Sequence, residues 1–302
     1  MNKSTNPNIK IILSIFFIII FSYSASLCRD NNDSTDTQFG QFLKKLKYPG
    51  GVTNNHMLEF SYGLNLPSFS GNSGPNLVKA FSIGISYGFV RLDTITVLPK
   101  NLYYASESIF LSDMSSHLKL NHEKIKSGLT TDAWRFGFGY CNGYGYNLDA
   151  GTKFILYNTG NIIWTKVDFE NYPDNHADSS LFLLYDDEFR FGSSFDMGII
   201  TDIMPYLKFD LNYEHQIIFP RHLVFKWLGS SSLELLAQRF IDLYCIDALK
   251  LDSKSLPLAN FVIKNTISFL FYEFRRNQMN WPFPSEAPLN YDNMRIGLKL
   301  VF

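Results

Sequence analysis

The feature that most constrains this chain is a period of two that recurs along most of its length. Leu58, Phe60, Tyr62 and Leu64 alternate with Glu59, Ser61, Gly63 and Asn65. Phe81, Ile83, Ile85, Tyr87 and Phe89 alternate with Ser82, Gly84, Ser86 and Gly88. The pattern returns at Trp134, Phe136, Phe138 and Tyr140, again at Phe189, Phe191, Phe195, Met197 and Ile199, and at Leu207, Phe209, Leu211 and Tyr213. Successive side chains of an extended backbone point to opposite faces, so each stretch reads as a strand with one apolar and one polar face. Further strands fit 261–274 and 294–302, and weaker ones fit 94–98, 153–157, 162–169 and 181–186. The chain is therefore all-β and antiparallel. Two architectures satisfy the alternation: a soluble sandwich with its apolar faces inward, and a barrel with its apolar faces turned outward to lipid.

The N-terminus indicates export. Lys3 and Lys10 precede a run, Ile11 to Phe21, in which every residue but Ser14 is apolar, and Ser22, Ser24, Ala25 and Ser26 follow. This is the layout of a cleaved signal peptide over 1–26, and the apolar run is shorter than the roughly 20 residues a spanning helix needs. Residues 27–56 read as a polar linker and a short amphipathic helix (Phe39, Phe42, Leu43, Leu46) stopped by Pro49-Gly50-Gly51. The domain proper is 57–302. Cys28 stands where a lipidated cysteine would stand, but Leu27 precedes it in place of a small residue. With Cys141 and Cys245 it makes an odd, sparse set that builds neither a disulfide framework nor a zinc site. A net charge of -1 argues against a nucleic-acid partner. Aromatic residues make up 16% of the chain, which suits the aromatic girdles of a membrane barrel.

The end of the chain separates the two architectures. Phe302 is terminal, and Leu300, Leu298, Ile296 and Met294 precede it at intervals of two. The last eight residues resemble the C-terminal β-signal of bacterial outer-membrane barrel proteins. Arg295 falls on its polar position, Gly297 on its glycine, Leu300 on its hydrophobic position and Phe302 on its terminal aromatic. Leu300 departs from the aromatic often found there. The resemblance covers the final strand closely and the others only in general pattern. It implies a transmembrane antiparallel β-barrel in the bacterial outer membrane, of about 8–12 strands, inserted by the barrel-assembly machinery.

With the apolar faces outward, the lumen receives Arg135, Arg190, Asp196, Lys208, Asp210, Glu214, Arg295 and Lys299. Charges of both signs suit ion pairs filling a narrow barrel better than a selective pore. Residues 218–260 interrupt the strands. Ser231 and Glu234 resemble a capping box, and Leu233, Leu236, Ala237, Phe240, Ile241, Tyr244 and Ala248 continue a helical face over 231–249. Leu223, Phe225 and Trp227 offer a short extra strand as an alternative. With 261–274 as a strand, parity places the 218–260 insertion on the periplasmic side, where it plugs the barrel, packs beside it or docks an envelope protein. The loop at 275–292, with Trp281-Pro282-Phe283-Pro284, then lies outside, where Arg275 and Arg276 meet lipopolysaccharide phosphates or water.

None of the six histidines falls in a catalytic motif, and His117 and His122 lack the spacing of a metal-binding helix. His215 beside Glu214 and Asp210 is the nearest to a catalytic set, but Glu214 and His215 point to opposite faces of a strand. No catalytic residue, metal or cofactor is expected. The function expected is a non-enzymatic structural or interaction protein with a largely occluded lumen and lipid, including lipopolysaccharide, as its partner. Three alternatives stay open: a narrow channel for a small or hydrophobic solute, a lipid-modifying enzyme, and a soluble periplasmic protein holding a hydrophobic ligand.

Overall fold

The structure, a computed structural model, describes residues 55–69, 77–95, 98–116, 129–148, 152–170, 182–247 and 254–302. The signal peptide expected over 1–26, Cys28, the amphipathic helix expected at 39–46, His117, His122 and His176 lie outside the described residues.

Eight antiparallel strands close into a barrel in sequence order. They are β1 (Asn55–Phe69), β2 (Ala80–Ile95), β3 (Leu98–Ser115), β4 (Thr130–Asn147), β5 (Lys153–Glu170), β6 (Phe189–Met204), β7 (Leu207–Ile218) and β8 (Leu289–Val301). β1 and β8 complete the circle, with Met57 opposite Val301 and Phe69 opposite Leu289. The β2–β3, β4–β5 and β6–β7 connections are short and lie at the end of the barrel that carries the chain terminus. The connections leaving the other end are longer, and the one between β7 and β8 holds two helices, α1 (Val224–Asp247) and α2 (Leu256–Asn277).

Two elements differ from the sequence reading. Residues 261–274 are not a strand but the middle of α2. Val262, Ile263, Thr266 and Ile267 favour extended chain locally. However, Asn260, Lys264, Ser268 and Tyr272 recur every four residues and bury one helical stripe. This changes the parity: the insertion both leaves and rejoins the barrel at the loop end, not at the terminal end. α1 also begins at Val224, so 223–227 adds no strand and Ser231–Glu234 is no capping box; Glu234 instead pairs with Arg275 of α2. Among the weaker candidates, 153–157 and 162–169 are one strand, β5, while Phe182 to Asp186 forms a turn. β3 is nearly absent from the sequence reading. Its inward face carries Tyr104, Phe110 and Met114, and its outward face carries Glu107, so the alternation is blurred.

The outer wall of β1–β4 and β8 is apolar and open. Phe60, Ile83, Ile85, Ile109, Leu111, Phe138, Met294 and Ile296 each expose between 43% and 57% of their surface. Phe138 neighbours the stacked Phe136–Trp164 pair near the loop end, where Phe189 and Phe191 join. His56, Tyr87, Phe89 and Phe302 cluster at the terminal end. Aromatic clusters thus stand towards both ends of an apolar band, as at the two interfaces of a barrel immersed in a bilayer.

Candidate functional site: the closed lumen and the outer seam

Inside the barrel, polarity is layered. At the loop end Met114, Ala133, Val167, Phe169, Phe182, Tyr185, Ile218, Leu289 and Tyr291 form a buried apolar plug. At the terminal end Met57, Val90, Tyr104, Cys141, Ile155, Tyr157 and Ile200 form a second. Charged groups fill the layer between. Arg135, on β4, donates to Glu214 Oε1 at 2.8 Å, to Gln216 at 2.7 Å and to Ser112 at 2.6 Å. Arg295, on β8, reaches Asp196 at 2.7 Å, Asn212 at 2.9 Å and Glu214 at 3.7 Å. Lys299 lies 2.9 Å from Asp210 and 3.4 Å from Glu59, and Tyr157 donates to Asp210 at 2.8 Å. Asn212 donates to Asp210 at 3.2 Å while accepting from Arg295, which joins the two clusters.

Of the eight lumen residues read from the sequence, the structure brings Arg135, Asp196, Asp210, Glu214, Arg295 and Lys299 together. Lys208 instead pairs with Asp202 near the β6–β7 turn, and Arg190 pairs with Glu188 at 2.5 Å near the loop end. Glu59, Tyr157, Asn161, Asn212 and Gln216 belong to the network without having been singled out. Their inward register carried the signal for Glu59, and it was legible on β1. Tyr157 was not, because an aromatic on the inward face breaks the expected alternation. A cavity of about 60 Å³ lies beside the charges, against the small inward residues Ser61, Gly84, Ser106 and Ser108.

The residues of the C-terminal signal have distinct places. Gly297 faces the lumen, and a Cβ there would stand 2.6 Å from the Glu59 carboxylate. Gly297→Val is therefore expected to destabilise the barrel by about 1–3 kcal/mol through overpacking. Because any change here also alters the assembly signal, the check is urea unfolding after refolding into lipid vesicles without the assembly machinery. Leu300 turns outward. Phe302 is 67% exposed, stacks on His56 and exchanges two backbone hydrogen bonds with it.

A second polar region lies on the outside of the barrel. Asn142 and Asn158 face outward on β4 and β5, and His215 and Asp292 on β7 and β8. All four are met by α2. Lys264 donates to Asn142 at 2.7 Å, Asn158 donates to Asn265 at 2.7 Å, and Tyr272 donates to Asp292 at 2.9 Å. His215 Nδ1 lies 2.6 Å from Asp292 Oδ1, and its ring is enclosed by Phe195, Tyr213, Phe269 and Tyr272. His215 thus faces away from Glu214 and Asp210, which lie in the lumen, and serves as a packed link between wall and helix. Arg275 is likewise not a rim residue: it is buried between the helices against Ser230 and Glu234. Arg276 pairs with Glu273 at 2.9 Å.

A closed eight-stranded antiparallel barrel with an apolar exterior and a charged, ion-paired interior defines a barrel of the outer-membrane class. Two solved structures share the architecture. Neisserial surface protein A is 12% identical, with a TM-score of 0.39 over 83% of this chain and 99% of its own. Ail, the attachment invasion locus protein of Yersinia pestis, is 5% identical, with a TM-score of 0.30 over 82% of this chain and 99% of its own. At these values the likeness adds nothing to what the closed barrel shows by itself. No protein-family model and no curated protein matches the chain.

Proposed function

We propose that this chain is an outer-membrane barrel that acts through its surfaces, as a structural or interaction protein, and neither conducts nor catalyses. The observation that carries the reading is the pair of apolar plugs closing the lumen on both sides of a charge layer whose members are tied to one another. A diffusing solute meets packed Met and Tyr side chains at either entrance, with Phe169 and Phe182 added at the loop end, and the charges between are committed to their neighbours. Short turns at the terminal end and long connections at the other match the periplasmic and extracellular ends of such barrels. Arg221, Lys226 and Arg276 near the loop end then stand where lipopolysaccharide phosphates lie, while the exposed Phe302 stays available to the assembly machinery at the periplasmic end. The outward face of α1, with Phe225, Leu235 and Phe240 exposed, would meet an envelope partner only if that partner shares the membrane. The apolar exterior disfavours the soluble alternative, because a water-soluble protein rarely leaves so large an apolar band uncovered.

Purified protein in planar lipid bilayers is expected to give no steady conductance above the bare-membrane baseline. Reproducible ohmic steps would overturn the closed-lumen reading and restore the channel.

A further inference from the structure

The α1–α2 hairpin follows the outside of the barrel along its full height. At the loop end, Ser230 donates to the carbonyl of Trp281 at 2.5 Å, and the Trp227 ring packs at 4.9 Å on Phe191 of β6. At the other end, the Tyr146 hydroxyl donates to the Lys254 carbonyl at 2.7 Å. Tyr146 lies beside the short β4–β5 turn, at the end of the barrel where the chain terminates. Between these points the contacts of α2 climb the wall in order: Lys264 with Asn142, Asn265 and Ser268 with Asn158, then Tyr272 with His215 and Asp292. Twenty-two and 24 residues make helices of about 33 and 36 Å, against a hydrocarbon core of about 30 Å.

The side of the hairpin away from the barrel is apolar. Phe225, Leu235, Phe240, Leu258, Val262, Leu270 and Phe274 expose between 45% and 90% of their surface, continuing the apolar band of the neighbouring strands. Among the described residues no helix is long and apolar enough to cross a membrane. Much of the polarity that lowers α2 in that respect sits in Asn260, Lys264, Asn265, Ser268 and Arg275, all of them buried. These polar groups meet the barrel wall or α1 and are not presented to lipid. The exposed Arg239 is about 12 Å above the end of α1, within reach of the lower interface for a long stem.

We propose that α1 and α2 form a membrane-embedded hairpin that enters from the extracellular side, crosses the bilayer against the barrel wall and returns. Lys254, at the foot of α2, then lies at the periplasmic face. A barrel of this design would carry an outer-loop insertion that reaches the opposite compartment. The proposal rests on the outer-membrane reading above.

Cysteine labelling tests it, in a full-length chain whose Cys28, Cys141 and Cys245 are replaced by alanine. Lys254→Cys and Glu286→Cys each place a thiol at an exposed position, at the foot of α2 and at the loop end. A membrane-impermeant maleimide added to intact cells is expected to label Glu286→Cys and to leave Lys254→Cys at less than a tenth of that level. Permeabilising the outer membrane is expected to bring the two to equal labelling. Equal labelling in intact cells would overturn the hairpin while leaving the barrel reading in place. Labelling of both sites only after permeabilisation would overturn both. Failure of Lys254→Cys to label after permeabilisation, in a chain that labels once denatured, would put the foot of α2 inside the bilayer and also overturn the proposal. Heat-modifiable migration on a denaturing gel verifies that each variant is folded.

Discussion

Glu214→Leu is expected to destabilise the folded barrel by about 3–5 kcal/mol, the cost of leaving a buried charge without its partner. Glu214 accepts from Arg135 and Ser194, both at 2.8 Å, and from Asn293 at 3.3 Å, with both side chains of the ion pair fully buried. Without it, Arg135 keeps the neutral partners Gln216 and Ser112, and Arg295 keeps Asp196. The measurement is the urea midpoint of the heat-modifiable band for protein folded in lipid vesicles. The double change Arg135→Met with Glu214→Leu removes both charges and is expected to recover most of the loss, because a well-packed apolar pair often replaces a buried ion pair at little cost. A shift below about 1 kcal/mol for Glu214→Leu would mean that water solvates Arg135 freely. That outcome would contradict the closed lumen from the opposite direction to the conductance test.

The parts of this fold legible in the sequence are those where one physical demand acts on every second residue. On β2, β4 and β8 the outward face meets lipid and the inward face is small or charged, so the alternation is clean. Register then settles which charges share the lumen, which is why six of the eight inward residues read from the strands meet in one layer. Closure set the limits of that reading. Plugging the barrel requires large apolar side chains on the inward face near both ends, such as Met114 and Tyr104 on β3, and these erase the pattern where the strand is needed most. The pairing of Lys208 and Arg190 with Asp202 and Glu188 depends on height along the barrel axis, which a face assignment does not contain.

The helix at 231–249 is legible as part of α1, whereas α2 reads as a strand over 261–274 for a related reason. A helix packed on a barrel wall inside a bilayer inverts the usual amphipathic pattern: its polar stripe is the buried one. Asn260, Lys264, Ser268 and Tyr272 are at helical spacing, but a search for an apolar stripe passes over them, while Val262, Ile263, Thr266 and Ile267 promote a strand. The outward polar residues Asn142 and Asn158 carry the complementary signal. They extend the outward faces of β4 and β5, where lipid would demand apolar groups, and so mark a part of the wall that something else must cover.

That complementarity yields the second large effect. Excising 220–288 and joining Phe219 to Leu289 through a short Gly-Ser turn would turn Asn142, Asn158 and the His215–Asp292 pair to lipid without their partners on α2. Polar groups lacking hydrogen bonds in hydrocarbon are costly, and the excised barrel is expected to lose about 3 kcal/mol or more in vesicles. Changing all four residues to leucine in the excised chain is expected to restore most of that loss. The same four changes in the full-length chain are expected to destabilise it, because Lys264, Asn265 and Tyr272 would then be buried against an apolar wall, at about 1–3 kcal/mol each. The sign of the effect should therefore reverse between the two backgrounds, as read from urea midpoints. A quadruple change that acts with the same sign in both would show that the helices do not shield this part of the wall from lipid.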